Sequence, residues 1–319
     1  MNYSKVSSPL SDKYGRHMRK LRVSLLEACN LRCLYCMPLK PQFMSPSNYL
    51  EPEQIINICE QMVSFGVEQI RVTGGEPTIR KEFKEIMLGL SKLNLEKLSI
   101  TSNGLLLEEH LPLLKQVNCN HINISLDSLN EDRFNQLTRS QGFQKVFRSI
   151  IRAKDMGFEV KINTVVMFGK NHDELLDFVR FAEQTAIEVR FLELMKIGEA
   201  NQFQGNTFMT ADQMIQVIEA ETALKPKSVE KDSTSFNFTT PKGGQIGFIA
   251  SESKPFCGSC SRLRLSADGY LRACLMSDKG LSLKNIAPEE MNNVLMRVIG
   301  MKPYERIVSI DQAMHQIGG

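Results

Sequence analysis

"CNLRCLYCMP" (29–38) places Cys29, Cys33 and Cys36 within eight positions of a chain that has only 8 cysteines in 319 residues. The spacing is C-x3-C-x2-C, and no fourth cysteine follows nearby. Zinc sites more often start from C-x2-C pairs, and structural zinc takes four ligands, so a distant fourth ligand would be needed. Irons of an iron–sulfur cluster are also usually held by four thiolates; three leave one iron open. The motif directly follows "RVSLL" (22–26), a β-branched and aliphatic run that reads as a strand. Three potential metal ligands thus sit just past the carboxyl end of a first strand.

The same rhythm continues outward from there. Further strand-like runs are "EQIRVTG" (68–74), "KLSITS" (97–102), "HINISLD" (121–127), "VKINTVV" (160–166) and "EVRFLEL" (188–194). Between them, 53–65, 81–93, 107–117, 142–156 and 172–184 read as amphipathic helices. In the first, Ile55, Ile56, Cys59, Met62 and Val63 recur at helical spacing. Alternating strand and helix means parallel strands joined by right-handed crossovers. A complete eight-unit barrel takes roughly 250 residues. Residues 22–194 therefore fit an α/β architecture of the partial (β/α)6, TIM-like kind; a doubly wound sheet is the alternative that periodicity leaves open. In both, ligands gather at the carboxyl ends of the strands. "TGGEP" (73–77), "TSNG" (101–104) and "SLDS" (125–128) supply polar or glycine-rich steps there.

After about residue 200 the rhythm breaks. "NQFQGN" (201–206) reads as a connection and 210–222 as a helix. "SFNFTTPKGGQIGFIA" (235–250) reads as a hairpin around Pro-Lys-Gly-Gly, and a helical tail closes the chain. The expected division is a barrel part with its N-terminal extension, 1–205, and a C-terminal part, 206–319.

Hydrophobic content of 42%, charged content of 24% and a net charge of +3 describe an ordinary globular protein with a mild basic bias. That bias suits a small anion and is too weak to argue for nucleic acid. The first twenty residues hold no apolar run of a secretory leader, and no stretch approaches the 18 apolar residues of a membrane span. A cytoplasmic location without membrane contact is expected. Clustered cysteines there read as metal ligands or redox groups before disulfides. Cys59, on an apolar helix face, and Cys119, before a strand, read as core.

A second cysteine group lies in "FCGSCSRLRLSADGYLRACL" (256–275). Cys257, Cys260 and Cys274 are spaced C-x2-C-x13-C, again without a fourth. One of five histidines (His17, His110, His121, His172, His315) could complete a zinc site. The sharper reading is a second cluster whose open iron takes a nitrogen or oxygen of a substrate. Arg262 and Arg264 would share one side of an extended strand, giving an anion site beside it. A solvated surface pair is the plain alternative for R-x-R.

The first cysteine group, with Tyr35 before its third member and "GGEP" (74–77) after the second strand, resembles the radical S-adenosylmethionine (SAM) superfamily. There the open iron chelates the amino and carboxylate groups of SAM, so the missing ligand is the cosubstrate. An electron from the cluster then splits SAM to a 5′-deoxyadenosyl radical. More of the chain resembles the GTP 3′,8-cyclase family, also called the molybdenum cofactor biosynthesis protein A family. The resemblance runs through "DKYGR" (12–16), "LRVS" (21–24), "RVTGGEP" (71–77), "TSNGLLL" (101–107), "NISLDSL" (123–129), "VRFLELM" (189–195), "RLRLSADG" (262–269) and the final "IGG" (317–319).

That resemblance implies two [4Fe–4S] clusters facing each other, held by Cys29, Cys33 and Cys36 and by Cys257, Cys260 and Cys274. It implies SAM contacts at Tyr35, Gly75, Ser125 and Met195. GTP contacts are implied at Arg22, Arg71, Thr101, Lys161, Arg262 and Arg264, and catalytic roles at Arg262, Arg264, Gly318 and Gly319. The implied reaction abstracts the ribose C3′ hydrogen and joins C3′ to guanine C8, the first step of molybdenum cofactor biosynthesis. A reductant of unknown identity and a functional link to cyclic pyranopterin monophosphate synthase follow, in a monomer or homodimer. No G-x4-G-K-[ST] loop is present, so GTP would be held as a substrate by side-chain cations. Lys161, in an apolar strand, needs a partner; a ligand is preferred to a carboxylate. The chain departs from the family at Glu27-Ala28 and in "VSIDQAMHQIGG" (308–319), which lacks arginines. Two other readings stand beside this one. The first is a radical SAM enzyme with an auxiliary cluster acting on a peptide or other substrate. The second is a metal-binding scaffold.

Overall fold

The first six strands are β1 (Lys20–Ser24), β2 (Gln69–Thr73), β3 (Lys97–Ser102), β4 (His121–Ser125), β5 (Glu159–Val166) and β6 (Glu188–Glu193). In the computed structural model, which describes residues 10–203 and 205–318, these six lie side by side in chain order, every pair parallel. A doubly wound sheet would reverse its strand order part-way. None occurs, so the partial barrel is the architecture formed.

The helices between them are α1 (Pro52–Ser64), α2 (Phe83–Leu90), α3 (Leu107–Gln116), α4 (Glu131–Thr138), α5 (Phe143–Asp155) and α6 (Leu175–Thr185). Helix α1 starts cleanly because Pro52 occupies its first turn and Glu51 and Gln54 satisfy each other's backbone N–H. Helix α5 buries Phe143, Val146, Ile150 and Ala153, an i, i+3/i+4 stripe facing the sheet. Strand β5 alternates: Val160, Ile162, Thr164 and Val166 are buried, while Lys161, Asn163 and Val165 point to the opposite face. That opposite face is the inside of the barrel. Cys59 and Cys119 are both fully buried, as expected of core residues.

Helix α7 (Ala211–Glu219) follows, and then the C-terminal strands join the same sheet at both edges. Strand β7 (Lys225–Lys227), β8 (Phe236–Thr239) and β9 (Gln245–Ile249) attach through β9, which runs parallel to β6. The expected hairpin is β8–β9. Strand β10 (Arg262–Leu265) runs parallel to β1 and carries β11 (Tyr270–Arg272) and β12 (Leu281–Ser282). The result is an open, mixed sheet of twelve strands. Phe248 on β9 packs against Phe191 of β6 and against Phe236 and Phe238 of β8. Phe248→Ala would remove that junction, at about 3–5 kcal/mol. Helix α8 (Pro288–Gly300) and the short α9 (Met314–Ile317) close the chain. Among the described residues, no helix is long and apolar enough to cross a membrane.

Sequence periodicity misses α4 and the strands β7, β11 and β12 as elements; the extended stretch expected at Arg262 and Arg264 is β10. The missed strands hold two or three residues each, too few to show alternation. Their pairing partners, not their own pattern, make them strands.

Candidate functional site

The loop after β1 carries the first cysteine group, and its own backbone shapes it. The N–H groups of Cys36 and Met37 both donate to the Cys33 carbonyl, at 3.0 and 3.1 Å. The missed helix α4 anchors this loop: Arg32 N–H donates to the Thr138 carbonyl and Leu34 N–H to that of Leu137, both at 3.0 Å. Tyr35 Oη donates to Asp127 Oδ2 at 2.8 Å, tying the loop to the end of β4. Cys29 Sγ accepts from Leu31 N–H at 3.4 Å and from the Asn103 amide at 3.6 Å.

The "GGEP" turn packs behind this loop. Gly75 N–H donates to the Leu26 carbonyl at 2.8 Å and Glu76 N–H to that of Ala28 at 2.9 Å. A Cβ on Gly75 would lie 2.2 Å from the Ala28 carbonyl oxygen and 2.3 Å from that of Glu27. Only glycine permits that approach. Glu27 and Ala28, where the chain departs from its family, meet this turn through main-chain carbonyls, which a side-chain change leaves in place.

Burial raises all three thiols of the first group; Cys36 is pushed up to about 12. The second group differs. Cys257 starts a single helical turn, and Cys260 N–H closes it on the Cys257 carbonyl at 3.1 Å. Arg262 Nε and Nη2 lie 3.4 and 3.2 Å from Cys260 Sγ. Burial pushes Cys260 up, but Arg262 and Lys302 outweigh it and bring the thiol down to about 6. Burial, followed by the neighbouring Cys274 and Cys260, pushes Cys257 up.

Both groups line one cavity on the inner face of the sheet. Among the described residues, no three Cys, His, Asp or Glu side chains converge as the ligands of one metal ion do. Zinc would need each sulfur about 2.3 Å away; thiolates of a cluster each take a different iron and need not converge. The donor sets, three cysteines with one position left open, fit the cluster better than the single ion.

The cavity also gathers cations. Arg264, Arg22 and Arg71 are register partners across β10, β1 and β2, so three guanidinium groups stand in one row. Arg262 joins them in lining the cavity. Arg71 Nε donates to Ser99 Oγ at 3.3 Å, and Arg264 Nη1 to the Gly318 carbonyl at 2.5 Å. Among the described residues, no carboxylate pairs with any of the four. Burial, then mutual repulsion, depresses Arg22 well below its ordinary value and brings Arg71 and Arg264 to about 10. Arginine stays charged, so these shifts register a positive potential that an anion would relieve.

Tyr35, Gly75, Thr101, Ser125 and Met195 line the same cavity. Lys161 is not among the residues that line it. Its Nζ lies 2.8 Å from Glu188 Oε2, so its partner here is the carboxylate. The reason is depth. Lys161 sits on the inward face of β5, but Asn163 and Val165, nearer the carboxyl end, are the residues that reach the cavity. Gly318 adopts φ of +80°, and its carbonyl meets Arg264 beneath the tail helix α9. Gly319 lies outside the described residues. Sequence reasoning missed Arg190, which lines the cavity and pairs with Glu188 at 2.6 Å. Its signal was the inward alternation of Glu188, Arg190 and Leu192 on β6.

The barrel and its cysteine loop define the class. The model of the radical SAM superfamily matches residues 23–182, and that of the Molybdenum Cofactor Synthesis C family matches residues 187–306. The SuiB protein of Streptococcus suis, solved with its precursor peptide SuiA, superposes with a TM-score of 0.66 at 13% identity, over 94% of this chain and 68% of that one. At that identity the likeness concerns the fold. A GTP 3′,8-cyclase of Synechocystis is 44% identical over 98% of this chain and 96% of its own length. One from Aquifex aeolicus is 39% identical over 88% and 89%. Molybdenum cofactor biosynthesis protein 1 of Drosophila melanogaster is 39% identical over 89% of this chain and 51% of its own. The chain belongs to the GTP 3′,8-cyclase family.

Proposed function

We propose that this chain converts GTP to 3′,8-cyclo-7,8-dihydro-GTP, opening molybdenum cofactor biosynthesis. The observation that carries this is the set of four carboxylate-free arginines facing the same cavity as both cysteine groups. A triphosphate of about four negative charges suits that set. The nucleotide product is an isomer of GTP: 5′-deoxyadenosine keeps the hydrogen taken from ribose C3′, a C3′–C8 bond forms, and one electron and one proton complete the reduced guanine ring.

Cys29, Cys33 and Cys36 would hold a [4Fe–4S] cluster, which with SAM supplies the 5′-deoxyadenosyl radical. Tyr35, Gly75, Ser125 and Met195 would surround SAM. Asp127 holds Tyr35 in place, and α4 holds the loop. Cys257, Cys260 and Cys274 would hold the second cluster beside the guanine. Arg22, Arg71, Arg262 and Arg264 would bind the phosphates, with Thr101 on the cavity wall. Lys161 and Arg190 share Glu188, so their charges reach the site partly neutralised. Gly318 would help set Arg264 through its carbonyl, with Gly319 beyond it. Residues 1–205 would then form the radical-generating part and 206–319 the substrate-holding part. A reductant must supply two electrons in all, one to split SAM and one to quench the cyclised radical, and cyclic pyranopterin monophosphate synthase would consume the product.

The test is a product assay without oxygen. Protein reconstituted with iron and sulfide receives SAM, GTP and dithionite. Mass spectrometry should find 5′-deoxyadenosine together with a GTP isomer of unchanged mass and shifted retention. 5′-Deoxyadenosine without the isomer would overturn the substrate and favour a peptide or another molecule. Neither product from iron-loaded protein would overturn the enzyme reading.

A further inference from the structure

The second cysteine group is held by buried cations that no step above uses. Lys302, just past α8, is 5% exposed. Its ammonium donates to the Arg262 carbonyl at 2.6 Å and to the Ala273 carbonyl at 2.8 Å, and also meets the Cys260 sulfur. Arg262 lies two residues past Cys260, and Ala273 immediately precedes Cys274. One ammonium therefore ties two of the three cysteine segments together. Among the described residues, no carboxylate pairs with it. A buried lysine without a carboxylate is rare. Carbonyl dipoles and an electron-rich sulfur must offset its loss of water.

Behind Lys302 stands Arg16, 6% exposed. It donates to the carbonyls of Cys257 at 2.6 Å, Pro303 at 2.9 Å and Lys302 at 3.3 Å. Asp12 pairs with it at 2.5 Å, which gives the "DKYGR" motif a place. So the third cysteine segment is tied to the same spot from the other end of the chain. In the first group the sulfur of Cys29 meets a backbone N–H and the side chains of Asn103 and Asn30, and Arg32 donates to the Cys29 carbonyl.

Hydrogen bonds to sulfur and net charge set the reduction potential of an iron–sulfur cluster. Positive charge favours the reduced state, which carries one more electron. We propose that Lys302, braced by Arg16, is a positioning residue that aligns Cys260 and Cys274 and raises the reduction potential of the cluster they hold. This rests on the reading of the second cysteine group as a cluster site.

The experiment uses the full chain with Cys29, Cys33 and Cys36 replaced by alanine, so that only the second group can take up a cluster. Iron and sulfide are counted after anaerobic reconstitution. The midpoint potential is then measured by dye-mediated titration followed by electron paramagnetic resonance. Lys302→Met should lower the reduction equilibrium at least tenfold, about 59 mV for one electron. Lys302→Arg should stay near the parent, and Lys302→Gln, which keeps a donor without the charge, should shift with the methionine variant. A glutamine variant at the parent potential would overturn the charge role, as would an unshifted methionine variant with full iron. If the methionine variant takes up no iron, the glutamine variant carries the same comparison. A parent that binds no iron would overturn the cluster reading itself, before any change at Lys302.

Discussion

The two groups have the same number of cysteines and different surroundings. In the first, burial raises the thiols, backbone N–H groups, an amide and the glycine turn press against it, and charges of both signs stand near, with Arg32 donating to the Cys29 carbonyl and Asp127 beside Cys33 and Cys36. The second is set among cations, with Arg262 against Cys260 and Lys302 behind it. The loop after β1 is held by its own turn and by residues of the barrel, whereas the second group is assembled by residues from both ends of the chain. The difference teaches that ligand count does not fix a site's task. Under the proposed function, the pocket that accepts a cationic sulfonium cosubstrate gains nothing from further positive charge, while the one facing a triphosphate does.

The comparison breaks most visibly at the cysteines. Cys33→Ala should abolish 5′-deoxyadenosine formation and remove about half the iron. Cys260→Ala should also halve the iron yet keep SAM cleavage, losing only the cyclised nucleotide. Retained SAM cleavage in the first variant would merge the two roles and end the distinction.

Next come the arginines. Arg22→Ala should weaken GTP binding about 10- to 100-fold, since a charged hydrogen bond contributes roughly 1.5–3 kcal/mol. SAM binding should stay unchanged; calorimetry with each ligand separates the two. Equal losses for both would show that the row of guanidinium groups supports the whole cavity rather than one ligand.

Gly318→Ala should have a smaller effect. Its φ of +80° disfavours a side chain, and a Cβ there would lie 2.9 Å from Ser24 Cβ. The tail would shift and release Arg264, lowering cyclase turnover roughly tenfold, which corresponds to about 1.4 kcal/mol, with iron content intact. Turnover at the parent level would detach the tail from the site.

The smallest effect is expected at Asp232, which accepts from Ser261, next to Cys260, and pairs with Arg19 and Lys20. Burial works against its charged form, but these partners hold its carboxyl below the usual range. A depressed carboxylate stabilises the fold above its unfolded value of about 3.9, and that gain vanishes as pH falls through the depressed value. Asp232→Asn should therefore lower Tm at pH 7 by about 2 °C or less. The two proteins should converge in strong acid. A difference that persisted there would assign the effect to packing.

Much was legible before any coordinates. The cysteine spacings, the glycine turn and the six strand runs are local features, and local chemistry writes them into neighbouring residues. Lys161 shows where that ends. Its strand is legible in the sequence, but its pairing with Glu188, 27 positions away, is a matter of tertiary placement. Helix α4 escaped because "EDRFNQLT" has a weak apolar face; its value lies in the carbonyls it offers the cysteine loop.

The sequence by itself determined the α/β class of fold, both cysteine spacings and the supply of cations, because each is a matter of residue type and short-range spacing. Only the tertiary structure decided that Arg264, Arg22 and Arg71 form one row, since β10 reaches β1 across more than two hundred residues of chain. It alone placed Arg16 and Lys302 around the second cysteine group. Sheet register and burial are collective properties, and no local stretch contains both partners of a contact that crosses the whole molecule.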